Sequence, residues 1–217
     1  MIDTAAARRL MVEGQVRTAD ISNAALLDAM MTIPRERFLS AAQAPLAYAD
    51  IDVPLGSGRA MLKPMVLAKL IQAAGVRETD RVLDVACGTG YSSAVLARLA
   101  GSVIALEESP ELARQAEEAL ASTDAERVTL AVGPLAAGWP ANAPYNLILI
   151  NGAVEIIPPT LAHQLKPEGR LACICGRPPA GKGMIYRMIE GCPVGRPVFD
   201  AAAQLLLDFV APPAFVF

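Results

Sequence analysis

A short apolar strand running directly into a glycine-bearing turn constrains this chain more than any other feature. Val82-Leu83-Asp84-Val85-Ala86 leads into Cys87-Gly88-Thr89-Gly90, and a helical pattern opens at Tyr91. A strand this continuously apolar is buried on both faces, as happens in parallel sheets. Parallel neighbours require long crossovers, so the remaining chain should alternate strand and helix. It does. The first helix runs from Tyr91 to Ala100 and stops at Gly101, and a second strand spans Val103 to Leu106. Ser109 and Pro110 cap and open a helix that continues to Ala121. Strands follow at Arg127–Val132, Asn146–Ile150 and Arg170–Cys175, with a helix at Pro159–Leu165 between the last two. Met184–Ile189 and Gln204–Phe209 read as late, antiparallel edge strands. The fold class is α/β, a doubly wound, mostly parallel Rossmann-like sheet.

Ahead of that core the signals are helical. Ile21–Ile33 carries Ser22 as N-cap and apolar Leu26, Leu27, Met30 and Ile33, and ends before Pro34. Pro45 through Gly58 is punctuated by proline and glycine, with too little periodicity for a long element. A helix then opens at Pro64 and closes at Gly75. Residues 1–75 are thus expected to form an N-terminal helical extension within one domain, with 76–217 as its core.

Composition closes several routes. The 217 residues are 53% hydrophobic and 19% charged, with net charge −3 and no basic stripe, so a packed domain is expected and nucleic acid is not. No apolar run reaches bilayer-spanning length and no signal-like leader opens the chain, so a soluble, cytoplasmic protein is expected. Cys87, Cys173, Cys175 and Cys192 form no Cys-x-x-Cys pair, and His163 is the single histidine, so no metal site is expected. The oligomeric state stays open.

In a doubly wound sheet, ligands bind beyond the carboxyl ends of the strands, where strand order reverses. The turn Ala86-Cys87-Gly88-Thr89-Gly90 lies there, and Gly88 and Gly90 let the backbone approach a ligand closely. Glu107, about 20 residues further on, is placed to accept both ribose hydroxyls of an adenosine. Glu108 joins it as a cofactor-site candidate, although its position also suits a solvated charge at a helix start. A dinucleotide would want glycine where Ser93 stands, and Asp84 would repel its pyrophosphate. Asp84 would instead pair with the ammonium of a methionine moiety. S-adenosylmethionine is the cofactor expected, the fold a class I methyltransferase, and a nicotinamide oxidoreductase the weaker rival. Cys87 is a small loop residue and not a nucleophile, having no histidine near it in sequence. As a ligand group alone, Glu107 should be replaceable by alanine with loss of cofactor and little loss of stability.

Much of the chain, roughly residues 10 to 175, resembles the protein-L-isoaspartate O-methyltransferases. The resemblance lies in Met11-Val12 with Gln15-Val16, in Leu26 to Phe38, in Ala47-Tyr48-Ala49-Asp50 and in Pro54-Leu55-Gly56. It continues through Val82 to Tyr91, Leu106-Glu107, Ile157-Pro158 and Gln164 to Leu171. It implies an N-terminal segment laid over the cofactor, and methyl transfer to the α-carboxyl of an isoaspartyl residue in a damaged protein or peptide. Met61, Leu62, Lys63 and Pro64 would border that acceptor. Leu62 stands where the family has a serine, so no hydroxyl meets the carboxylate and slow or absent methylation is expected. Gly133-Pro134-Leu135 replaces the family's Gly-Asp-Gly beside the adenine, and Tyr145-Asn146 its Tyr-Asp. A diverged paralogue that keeps the fold, and methylates another acceptor or only binds, is the alternative.

Overall fold

The computed structural model describes residues 3–123, 125–189 and 192–212. Helix α1, Thr4–Met11, is capped by the Asp3 carboxylate and runs into one π turn over Val12–Val16. Helix α2 covers Ala24–Thr32, and its N-cap is Asn23, whose side chain accepts from Leu26 N at 3.0 Å; Ser22 is one residue too early. The proline-punctuated stretch holds what its composition hides, an antiparallel hairpin of β1, Val53–Gly56, and β2, Arg59–Met61. Helix α3, Pro64–Ala74, starts on its proline and ends at Gly75 with φ +60°, burying Val66, Leu67, Leu70 and Ile71.

The core then alternates as expected. Strand β3 is Arg81–Val85, α4 Tyr91–Ala97, β4 Ser102–Glu107 and α5 Pro110–Ala121, whose cap is Ser109. Strand β5 is Val128–Val132, β6 Tyr145–Val154, α6 Pro159–Ala162 and β7 Leu165–Cys175. Strands β8, Lys182–Ile189, and β9, Cys192–Asp200, complete a seven-stranded sheet in the order β5-β4-β3-β6-β7-β8-β9. The first five strands in that order are parallel, and β8 and β9 are antiparallel additions.

Both faces of the sheet are covered, as the apolar strands require. Val82, Val103, Leu147 and Ile174 join the side chains of α2, α3 and α4 in one core, while Leu83, Leu106, Ile150 and Cys173 join Leu161 and Phe209 in the other. The strand expected at Met184–Ile189 is present as β8, whereas the other late segment differs. The eighth sheet-associated segment is not a strand at Gln204–Phe209, which makes a single parallel bridge, Leu205 to Ala153, before a 3-10 turn at Leu207–Phe209. The true edge strand is β9, where Pro193, Gly195 and Pro197 mask the β pattern. Even so, the tail is firmly seated. Glu155 N and Ile156 N donate to Phe209 O, and Leu206 and Phe209 are buried. The end of the apolar tail, from residue 213, lies outside the described residues. No helix among the described residues is long and apolar enough to cross a membrane.

Candidate active site

Strand β3 lies between β4 and β6, so strand order reverses beside it, and the chain leaves β3 through the glycine turn. Cys87 N donates to Leu106 O, and Gly90 N to Cys87 O, which ties the turn to β4 and closes it before α4. Gly88 and Gly90 have φ of +58° and +93°, conformations that favour glycine. A Cβ on Gly88 would lie 2.6 Å from Leu55 of the hairpin, so β1 packs directly over the turn. Ala86 adopts φ +56° without being glycine. Ala86→Gly should relieve that strain by roughly 0.5–1 kcal/mol after the entropy of glycine is subtracted. A melting temperature raised by about 2 °C would be the signature, and a lowered one would contradict it.

Asp84 is fully buried beneath the turn. It accepts from Ser92 Oγ at 2.6 Å, Ser93 Oγ at 2.5 Å and Asn151 Nδ2 at 2.7 Å. Burial pushes its carboxyl up to about 6, the three hydrogen bonds pull it down, and Glu107 adds to the rise. The residue that excluded a dinucleotide on sequence grounds, Ser93, is therefore a partner of the carboxylate. Asn151, on the long β6, was not legible as a site residue because 67 positions separate it from Asp84.

Glu107, at the end of β4, is also fully buried. Its Oε2 accepts from Gly88 N at 2.9 Å. Its Oε1 accepts from Glu108 N at 2.9 Å, Ser109 N at 3.0 Å and Arg59 Nε at 3.3 Å. Arg59, on β2, had no sequence signal at all, yet its Nη2 also lies 3.5 Å from Glu108 and 3.9 Å from Asp208.

Some of the remaining candidates line a cleft beside the glycine turn, and others do not. Ala86, Cys87, Thr89, Met61 and Leu62 line one narrow cleft of about 10 Å3, together with Leu55, Leu67, Tyr91, Ser92 and Asn151. Thr89 Oγ1 donates to Phe38 O at 2.6 Å and so fastens the N-terminal segment to the turn. Burial pushes the Cys87 thiol far up, beside two carboxylates that push the same way, so it stays protonated and is no nucleophile. Lys63 N donates to Asp52 Oδ1 at 2.7 Å, and Pro64 is buried at the start of α3. Beneath Leu62, the fully buried Arg35 donates to Leu62 O and Ala47 O, both at 2.7 Å, and stacks 4.7 Å above the Tyr91 ring. Gly133 N donates to Glu107 O, which brings the loop after β5 to the same strand end. Pro134 there is exposed, whereas Leu135 is wholly inside the core and has no surface to offer a base.

The residues present fit S-adenosylmethionine: a glycine cradle that closes if a Cβ is added, and buried carboxylates at the ends of β3 and β4. Sheet order and site together define a class I methyltransferase. The profile of the protein-L-isoaspartate(D-aspartate) O-methyltransferase family matches residues 7–183. A protein-L-isoaspartate O-methyltransferase from Methylorubrum extorquens (strain PA1) is 43% identical over 183 residues, 84% of this chain and 79% of that one. A relative of the same name from Opitutus terrae is 41% identical, over 78% of this chain and 72% of its own. The chain belongs to the protein-L-isoaspartate(D-aspartate) O-methyltransferase family. Among solved structures, a protein-L-isoaspartate O-methyltransferase superposes with a TM-score of 0.80 at 22% identity, over 92% of this chain and 65% of that one. A Plasmodium falciparum protein assigned the same activity and solved with S-adenosyl-L-homocysteine also gives 0.80, at 15% identity over 96% and 100%. At these identities the two superpositions speak for the fold.

Proposed function

We propose that this chain methylates the carboxyl group of isoaspartyl residues in damaged proteins or peptides, with S-adenosylmethionine as donor. The observation that carries this reading is the family match across residues 7–183, centred on a site that contains the glycine turn, Asp84 and Glu107. When bound, the cofactor supplies an activated methyl on a sulfonium. The turn 86–90 would hold its methionine part, Asp84 would attract the ammonium, and Glu107 would take the ribose. Glu108 and Gly133 would border the adenosine, and Pro134, lacking both an N–H and a carboxylate, leaves the adenine to apolar contact. Residues 1–75 would act as the cover, Leu55 and Thr89–Phe38 being its points of closure.

The acceptor carboxylate ionises near pH 4, so at neutral pH it is already a nucleophile and requires no general base. Accordingly no unpaired basic side chain is needed at the cleft. What the protein supplies is alignment and exclusion of water. Met61, Leu62, Leu67 and Tyr91 form an apolar wall, and orientation alone can supply roughly 7–11 kcal/mol of a barrier. Arg35 sets the height of that wall by holding Leu62 O. The wall has a cost, because Leu62 offers the acceptor no hydrogen bond and desolvates its charge by roughly 1–3 kcal/mol.

Transfer of tritiated methyl groups to an isoaspartyl peptide, against the aspartyl peptide of identical sequence, tests the proposal. Slow, isoaspartyl-specific labelling is expected, and Leu62→Ser should raise it about tenfold. No labelling by a protein that binds the cofactor would overturn the acceptor assignment. Fast labelling that Leu62→Ser slows would overturn the role of Leu62 alone.

A further inference from the structure

A carboxylate offers about four lone-pair positions, two on each oxygen. Glu107 Oε1 is crowded by Glu108 N, Ser109 N and the Arg59 guanidinium, while Oε2 takes Gly88 N alone. One position is therefore open where two ribose hydroxyls need two. The amides belong to the turn and to the start of α5 and cannot leave without dismantling the site. Arg59 can leave, because it stands on a three-residue strand of a two-stranded hairpin. It also has somewhere to go. Its Nη2 already lies 3.5 Å from Glu108 Oε2 and 3.9 Å from Asp208 Oδ2, and the latter residue belongs to the C-terminal segment seated along β6. The adjoining cleft beside Ala86, Cys87 and Thr89 encloses only about 10 Å3, far below the roughly 300–1,000 Å3 usual for ligand pockets, so something must move on binding.

We propose that Arg59 sets the affinity of this site for its nucleoside: the guanidinium holds the ribose position on Glu107, the ribose hydroxyls displace it, and it then pairs with Glu108 and Asp208, clasping the hairpin to the C-terminal segment. The proposal rests on the assignment of Glu107 to the ribose. It makes Arg59 a positioning residue with two opposed effects. Its departure from Glu107 weakens binding, and its new pairing secures the closed state.

Calorimetry with S-adenosylhomocysteine on the wild type, Arg59→Ala and Arg59→Gln separates the outcomes. Both variants should bind about tenfold more tightly, because the charge-assisted hydrogen bond no longer broken outweighs the lost pairing with two partly exposed carboxylates. Arg59→Gln keeps a neutral donor beside Glu107 and serves should the alanine variant fold poorly. Amide exchange supplies the second readout. In the wild type the ligand should slow exchange at Glu155 and Ile156, whose N–H groups donate to Phe209 O, and Asp208→Asn should abolish that slowing. Equal or weaker binding by both Arg59 variants, with a wild type that binds, would overturn the gate and leave the cofactor site standing. Failure of all three proteins to bind would overturn the cofactor reading and the gate with it.

Discussion

Glu107→Ala should lower the melting temperature by about 10 °C and weaken S-adenosylhomocysteine at least about tenfold. Taken as a ribose ligand alone, Glu107 would be dispensable for folding. Its surroundings say otherwise. The carboxylate is fully buried and gathers the amides of Gly88, Glu108 and Ser109 together with Arg59. Removing one partner of a buried pair costs roughly 3–5 kcal/mol, since the other is left desolvated and unpaired. For a domain of this size each kcal/mol is worth about 2–4 °C. The affinity loss follows from two ribose hydroxyls, each bonded to a charged group and worth roughly 1.5–3 kcal/mol. Thermal melting and calorimetry on the same preparation check both halves. An unshifted melting temperature would mean that the network around Glu107 does not carry the turn.

Affinity for S-adenosylhomocysteine should also fall as the pH drops through about 6, approaching a tenfold loss per unit below it. Burial holds the Asp84 carboxyl at about 6 against the pull of Ser92, Ser93 and Asn151. The ligand's ammonium favours the ionised form, so binding is strongest above that pH and each unit below it costs about 1.4 kcal/mol. The folding equilibrium without ligand runs the other way. An acid raised in the folded state contributes stability that is present below its unfolded value, near 4, and lost as the pH rises from there through about 6. Asp84→Asn should flatten both profiles. Adenosine, which has no ammonium, should show neither the pH dependence nor a loss in the variant. A parallel pH dependence for adenosine would remove Asp84 from the ammonium's vicinity.

Of the site, the sequence discloses what is local. Ala86 to Gly90 and Glu107 are legible because a strand, a turn and a helix follow one another without interruption, and the spacing to the next strand end is short. The partners of those residues are not legible. Arg59 meets Glu107 from 48 positions away and Asn151 meets Asp84 from 67, and neither carries a local mark of its task. The hairpin β1–β2 was hidden for a related reason. Strands of four and three residues give no periodicity to count, and Pro54, Gly56 and Gly58 look like loop. Gln204–Phe209 was misread because an apolar run buried under the sheet has the composition of a strand in it. Leu206 and Phe209 are core residues held by a few main-chain bonds to Ala153, Glu155 and Ile156.

Strand β9 carries a consequence for how the protein behaves in a crowded solution. A sheet edge with its amides free is a template for a further strand, from a second copy or from a misfolded chain. On β9 every second residue directs its main chain outward, and Pro193 and Pro197 share that phase with Gly195 between them. Proline on an edge strand sits with its nitrogen toward solvent, so two of three successive outward donors are deleted. Arg196 adds a charge to the same strand, and the exposed Ile189 and Val194 flank it without an unbroken ladder to follow. The prolines that obscured this strand in the sequence thus end the sheet chemically, and a chain carrying Pro193→Thr and Pro197→Thr would be left with an edge open to aggregation.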